Sequence, residues 1–406
     1  MKFGSLADHF LGAGAKYLTD VEINLQTSNQ HEFQGVGGFR RFLGAPLEKE
    51  TFPAVFLWLD DNEDEERPRA EAFCTWSNVR RNQPQRSAEY HLYYSANSRT
   101  VVHRAHAGDF LLIAQRPDRS LLIILSPAGS TIGQQLQWLF GLDLVEDKAV
   151  SKEISVSTAR GLDYAARKVL AELDIEPDQA EPSDFDRLIG QFGLSFPSTA
   201  EFSRFARESL SGIDPLADPD EALIAWMDQE EALFRSLEKL IVSERLKTGF
   251  HGEGMADVDG FLKFSLSVQN RRKSRAGYAF GHHVEAILAA NSIRYRREAT
   301  TEKRKAADFL FPDEASYANE QFPTERLKML AVKTSCKDRW RQVLSEADRI
   351  SPKHLLTLEP AISTAQTDEM RSQDLQLVLP RALHTSFRPQ QQAWLLDMRA
   401  LINLVR

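Results

Sequence analysis

The stretch MLAVKTSCKDRWR, Met329 to Arg341, constrains this chain more than any other. Leu330 to Thr334 reads as a short buried strand because the run is mostly apolar, yet Lys333 stands inside it. Desolvating an ammonium is costly unless an anion or a metal-bound group answers it, so a lysine there needs a partner. Directly afterwards the pattern turns helical: Trp340, Val343, Leu344 and Ile350 supply an apolar stripe, while Lys337, Asp338, Arg339 and Arg341 crowd the first turns. Cations at a helix start oppose the macrodipole, which directs this end towards phosphates or bases. The plain alternative is a core strand with a snorkelling lysine ahead of a solvated helix face.

Upstream, Ala307-Asp308-Phe309-Leu310-Phe311-Pro312 gives a second short strand with an acid near its start. An aspartate and a lysine on neighbouring strands, joined by a further carboxylate, form the arrangement that holds Mg²⁺ and activates water against a phosphodiester. Asp308 and Lys333 fit it. The common nuclease pattern PD-(D/E)xK would place a proline before the aspartate and an acid two residues before the lysine; here those positions are Ala307 and Ala331.

With these departures, and in the blocks NRRKSRAG (Asn270 to Gly277), DFLFP (Asp308 to Pro312), FP (Phe322 to Pro323) and MLAVKTSCKDRWRQVLSEAD (Met329 to Asp348), the chain resembles the catalytic domain of EcoRII-type type II restriction endonucleases. The resemblance is densest from Phe196 to Leu358. It implies that the second acid has moved to the helix after the lysine, where Glu346 stands, and that Asp308 and Glu346 hold Mg²⁺. A strand carboxylate fixed by its ladder suits Asp308 to that task, and Lys333 would polarise the attacking water or stabilise charge on the phosphate. In the family an acid follows the RKSRAG block on the next helix; the aligned place holds Gly281, and Glu285, one turn later on the same face, either substitutes for it or matches a neighbouring acid of the family. His282 and His283 beside it read as structural or phosphate-contacting.

Lys337, Asp338 and Arg339 correspond to the family's base-reading segment, with Arg341 next to it. Lys and Arg donate to guanine while Asp accepts from cytosine, so consecutive G·C pairs in double-stranded DNA are the expected target. Arg271, Arg272, Lys273 and Arg275 would hold phosphates and the outer pairs. The resemblance implies Mg²⁺-dependent double-strand cleavage at a CC(A/T)GG-like site, a cognate DNA methyltransferase as genetic partner, and an N-terminal pseudobarrel that binds a second, effector copy of the site. A palindromic site asks for a homodimer.

At 406 residues the chain is too long for one ordinary core and predicts two domains. Its net charge of −8 argues against a nucleic-acid protein only if charge is evenly spread. The basic residues concentrate between Arg271 and Lys305, including Arg294, Arg296, Arg297, Lys303 and Arg304, against acidic stretches at Asp60 to Glu66 and Asp214 to Glu231. Solvated helix faces remain the alternative for such clusters. Two cysteines, Cys74 and Cys336, make neither a disulfide framework nor a zinc set, which suits a reducing cytoplasm. No apolar stretch spans a bilayer and no secretory pattern opens the chain, so no membrane is expected.

Taken in order, residues 1–175 predict a β-rich domain with trailing helices, a small barrel or sandwich by its strand spacing, which the resemblance implies is a DNA-binding pseudobarrel. Its strands are read at Ala54 to Leu59, Ala70 to Trp76, Ala88 to Tyr94, Asp109 to Ala114 and Ser120 to Leu125, followed by helices at Ile132 to Leu142 and Ser157 to Leu173. The loop SNVRRNQPQR carries Arg80, Arg81 and Arg86 among side-chain amides, and Gln26 to Arg41 adds Gln30, His31, Arg40 and Arg41, the chemistry for gripping phosphate and base edges. Pro, Asp and Gly content marks 176–196 as a linker. Residues 197–406 predict an α/β domain, a central mixed sheet flanked by helices. There Pro197, Ser198 and Glu201 open one helix, Pro219 starts a long one through Leu246, and a further helix to about Val268 is separated by the basic segment from another at Tyr278 to Ala290. Two readings compete with restriction: a modification-dependent or repair nuclease, and a DNA-binding regulator with an inactive nuclease fold.

Overall fold

Continuous apolar runs mark the centre of the first of two compact units, Met1–Pro177 with Ala361–Thr367; the second takes in Asp178–Pro360 and Asp368–Arg406. The computed structural model describes residues 4–406 apart from 24–30, 63–66, 145–147, 156–161, 177–183, 253–254, 303–304 and 338. The first unit is built on one eight-stranded sheet. Its strands are β1 Gly12–Tyr17, β2 Glu32–Phe33, β3 Glu50–Trp58, β4 Arg69–Asn78, β5 Tyr90–Tyr94, β6 Phe110–Gln115, β7 Leu121–Ser126 and β8 Val150–Glu153. The order is β2-β5-β4-β3-β7-β6-β1-β8, with β3 and β7 parallel and every other neighbouring pair antiparallel.

Strands β6 and β7 are buried at every position because both faces of the sheet are covered there. Leu111, Ile113 and Ile123 join one core with Phe33, Phe52 and Trp76, while Leu112, Ile124 and Ala114 join another with Phe10, Leu136 and Leu170. The helices Thr131–Phe140 and Tyr164–Glu172 supply that second core. Sequence reading passes over β1, since GAGAKY lacks bulky β formers. Its small residues admit the rings of Phe39 and Phe42; a Cβ on Gly14 would lie 2.4 Å from Phe39.

In the second unit a short hairpin, β9 His251–Gly252 and β10 Met255–Ala256, precedes a five-stranded mixed sheet. That sheet comprises β11 Arg296–Thr300, β12 Ala306–Phe311, β13 Lys328–Lys333, β14 Lys353–Thr357 and β15 Leu375–Val378, in that order. The pairs from β11 to β13 are antiparallel and those from β13 to β15 parallel. The helix Thr199–Glu208 has the expected capping box, with Ser198 and Glu201 satisfying each other's backbone N–H, and Pro219–Thr248 starts at its proline behind an Asp218 cap.

Two expectations change here. The stretch 176–196, read as a linker, contains the helix Phe185–Phe192, whose Leu188 is buried against Phe202, Phe205, Leu233 and Leu237. Secondly, the basic segment interrupts nothing: Val258–Ala290 is one helix of 33 residues. Arg, Lys and Ala favour helix, and Gly277 faces open space, so packing against Pro219–Thr248 overrides the weak breaks that its glycines suggest. Among the described residues no helix is long and apolar enough to cross a membrane.

Candidate active site

Register brings the two key residues together. Phe309 pairs with Leu330 and Leu310 with Met329, so Asp308 falls beside Ala331, and Lys333, two residues on, shares its face of the sheet. Lys333 Nζ lies 2.8 Å from Asp308 Oδ2, which also accepts from Val332 N at 2.7 Å. The ammonium of an apolar strand thus has its anion. The side chains stay partly open, 15% exposed for Lys333 and 35% for Asp308.

Glu346 joins this pair electrostatically, but not from a helix. The helix after β13 is only Arg339–Val343, and Glu346 lies in the turn beyond it, its N–H donating to Val343 O at 3.0 Å. Trp340, Val343 and Ile350 are buried as their spacing predicts, yet a turn and not a second helical coil carries the acid. Burial pushes the Glu346 carboxyl up to about 7; the Lys333 ammonium opposes that rise and the Asp308 charge adds to it. Its Oε2 is buried without a hydrogen-bond partner. Among the described residues no group of three His, Cys, Asp or Glu side chains is placed to hold a metal ion. Two neighbouring carboxylates, one with an unanswered buried oxygen, nevertheless offer the hard oxygen donors that suit Mg²⁺.

Glu285 is engaged elsewhere. Its carboxylate pairs with Arg297 at 2.5 Å and receives Tyr295 OH at 3.4 Å. Arg297 pairs across the ladder with Phe309, whose side chain takes the face opposite Asp308. The substitute role expected of Glu285 is therefore corrected, because the helix sets it against the other side of the sheet. Gly281 fits the same contact: a Cβ there would meet the Arg297 guanidinium at 3.0 Å. His283 is fully buried, 3.0 Å from Glu230 and 3.2 Å from Arg207, and His282 bonds Thr199 at 3.2 Å and Arg297 at 2.9 Å. His283 is thus closed off from any phosphate, while His282 is half-buried between its two partners.

The segment expected to read bases begins where Cys336 N donates to the Glu359 carboxylate, which ties it to the loop after β14. Lys337 has a positive φ of 25°, Asp338 lies outside the described residues, and Arg339 is exposed at the first helical position. Arg341 instead pairs with Glu369 at 2.9 Å and lies over the Trp340 ring.

The basic segment of the long helix buries Arg275 and leaves Arg271 and Arg272 half-buried. Arg275 is 5% exposed, with its guanidinium 4.0 Å from the Phe202 ring centre and 3.7 Å from Glu230. Arg272 donates to buried Glu238 at 2.6 Å, and Arg271 stacks on Phe196 at 4.4 Å. Burial of Arg275 at 5% exposure takes it out of reach of a phosphate, since its helix face packs on Pro219–Thr248, whereas the Arg272 side chain stays 37% exposed. The Lys273 side chain, like Gln26, Gln30, Lys303 and Arg304, lies outside the described residues. In the first unit Arg80 pairs with Glu89 and Arg86 with Gln83, whereas Arg81 is exposed.

Residues 234–402 match the family model described as EcoRII C terminal. The type II restriction enzyme EcoRII of Escherichia coli is 40% identical over 210 residues, which cover 52% of this chain and 50% of that protein. The chain thus spans about half the length of that relative. Among solved structures, metal-depleted Ecl18kI in complex with uncleaved DNA is 18% identical over 56% of this chain and 84% of that one, with a TM-score of 0.44. The restriction endonuclease PspGI–substrate DNA complex is 15% identical over 52% of this chain and 92% of that one, with a TM-score of 0.43. Asp308, Lys333 and Glu346 all fall inside residues 234–402, the segment that is similar to the EcoRII C-terminal family model.

Proposed function

We propose that this chain is a Mg²⁺-dependent, sequence-specific endonuclease that makes double-strand breaks in DNA at a CC(A/T)GG-like or related G·C-rich palindrome, acting as a homodimer. The observation that carries this reading is the 2.8 Å Asp308–Lys333 pair with the buried Glu346 carboxylate in its field. The 40% identity to a type II restriction enzyme supports it.

Asp308, fixed by the Val332 N–H, and Glu346 would hold the Mg²⁺. When bound, the ion supplies positive charge that polarises the phosphoryl group and stabilises the negative charge of the transition state. Lys333 turns from Asp308 to the scissile phosphate and donates to the oxygen on which charge grows as water attacks. Glu346 must lose its proton to act as a ligand, so protons compete with the ion and the Mg²⁺ concentration needed for cleavage rises as pH falls below about 7. Lys337 and Arg339, a few residues past β13, would read base edges beside the cleaved bond together with their sequence neighbour Asp338, while residues 1–175 would bind an effector copy of the site. A cognate methyltransferase protects the host sequence.

The test is digestion of defined duplexes, methylated and unmethylated, with Mg²⁺ or with chelator, and mapping of the ends. Cuts at one G·C-rich palindrome that require Mg²⁺ are expected. Cleavage only of methylated or damaged duplexes would replace restriction with the modification-dependent reading.

A further inference from the structure

Glu346 leaves the backbone at a turn that runs against local preference and is held from outside. Ala347 is buried with a φ of 48°, a left-handed conformation that alanine adopts only where its surroundings impose it. Its N–H donates to Thr301 Oγ1 at 3.3 Å, and its carbonyl accepts from Ile350 N at 2.9 Å and from Lys353 Nζ at 3.0 Å. The same ammonium donates to Ile350 O at 3.1 Å. Lys353 is 9% exposed at the first residue of β14, and both of these acceptors are backbone carbonyls of one turn, an unusual use of a buried cation. Two further ties reach the turn from the β11–β12 connection: Lys305 Nζ to Ser345 Oγ, and Glu302 Oε2 from Asp348 N at 3.2 Å.

We propose that Lys353, with Thr301, is a positioning residue that holds the Ala347 turn in its left-handed form and so presents Glu346 to Asp308 and Lys333. Fixing the peptide on the C-terminal side of Glu346 fixes the direction of its Cα–Cβ bond, which the five-residue helix before it is too short to dictate. This inference rests on the reading of Asp308, Lys333 and Glu346 as the cleavage site. Groups that orient metal ligands typically change metal affinity 10–100-fold when removed.

The test uses the full chain. Lys353→Met keeps the aliphatic stem and removes both hydrogen bonds; Thr301→Val removes the hold on Ala347 N at a part-exposed position where folding is less at risk. Cleavage is followed against Mg²⁺ concentration, Mn²⁺ binding to protein on uncleavable duplex by electron paramagnetic resonance, and duplex binding in chelator. Lys353→Met is expected to raise the half-saturating Mg²⁺ about tenfold or more and weaken Mn²⁺ binding in parallel, with metal-free duplex binding unchanged. Thr301→Val should shift both in the same direction by less, and it decides the matter alone if Lys353→Met does not fold. Unchanged metal dependence in the folded variants overturns the positioning role, as does a loss of metal-free duplex binding equal to the loss of metal binding. Asp308→Ala separates the two levels: cleavage surviving there overturns the site itself, whereas cleavage lost there and intact in the two positioning variants overturns only the present inference.

Discussion

At the scale of single residues, charge placement decides which groups act and which merely hold. Lys333→Ala should abolish cleavage while specific duplex binding persists, because the ammonium serves the charge that develops on phosphate and not the bases. Cleavage assays beside gel-shift titrations check this, and retained cutting would move the active site elsewhere. Glu346 carries a second consequence. Its carboxyl titrates at about 7 folded against about 4.5 in an unfolded chain, so between those values the folded protein binds more protons than the unfolded one, and stability falls as pH rises. In metal-free protein Glu346→Gln should remove that decline and stabilise the fold by roughly 1–3 kcal/mol at pH 8, read from melting curves at pH 5 to 8. Arg275→Ala acts through packing: it takes from buried Glu230 the guanidinium 3.7 Å away, leaves a cavity among Phe202 and Phe234, and should cost about 3–5 kcal/mol in chemical denaturation. A variant that melts like the wild type and loses only DNA affinity would return Arg275 to the DNA surface.

At the scale of elements, the segment from Cys336 through the Arg339–Val343 helix is anchored at Glu359 and leaves Arg339 exposed. Arg339→Ala should therefore cost roughly 1–3 kcal/mol on the cognate duplex and little on a scrambled one. Arg296, on the edge strand β11 with its side chain 63% exposed, should on replacement by Ala weaken both duplexes about equally and flatten the salt dependence. Competition binding at two salt concentrations separates these outcomes. Equal losses on both duplexes for Arg339→Ala would reduce the segment to a backbone clamp.

At the scale of the whole molecule, the Asp178–Pro360 and Asp368–Arg406 unit encloses its own core, which the helix Phe185–Phe192 helps to close. A fragment of residues 184–406 should fold and cut, while one of 197–406, stripped of Leu188, should be less stable by at least ~2 kcal/mol, as denaturant titrations of both would show. Equal stability would mean that the helix only decorates the surface. The sequence by itself determined whatever depends on neighbours along the chain: the β12 and β13 strands, the Ser198 capping box, the proline start at Pro219, and the demand that Lys333 find an anion. Only the tertiary structure decided that Glu346 leaves from a left-handed turn, that Glu285 serves Arg297 on the far face of the sheet, and that Arg275 lies in a helical core. Those outcomes hang on strand register and on which surfaces pack. A side chain's face and its dielectric surroundings are set by partners distant in sequence, and residue patterning carries no record of them.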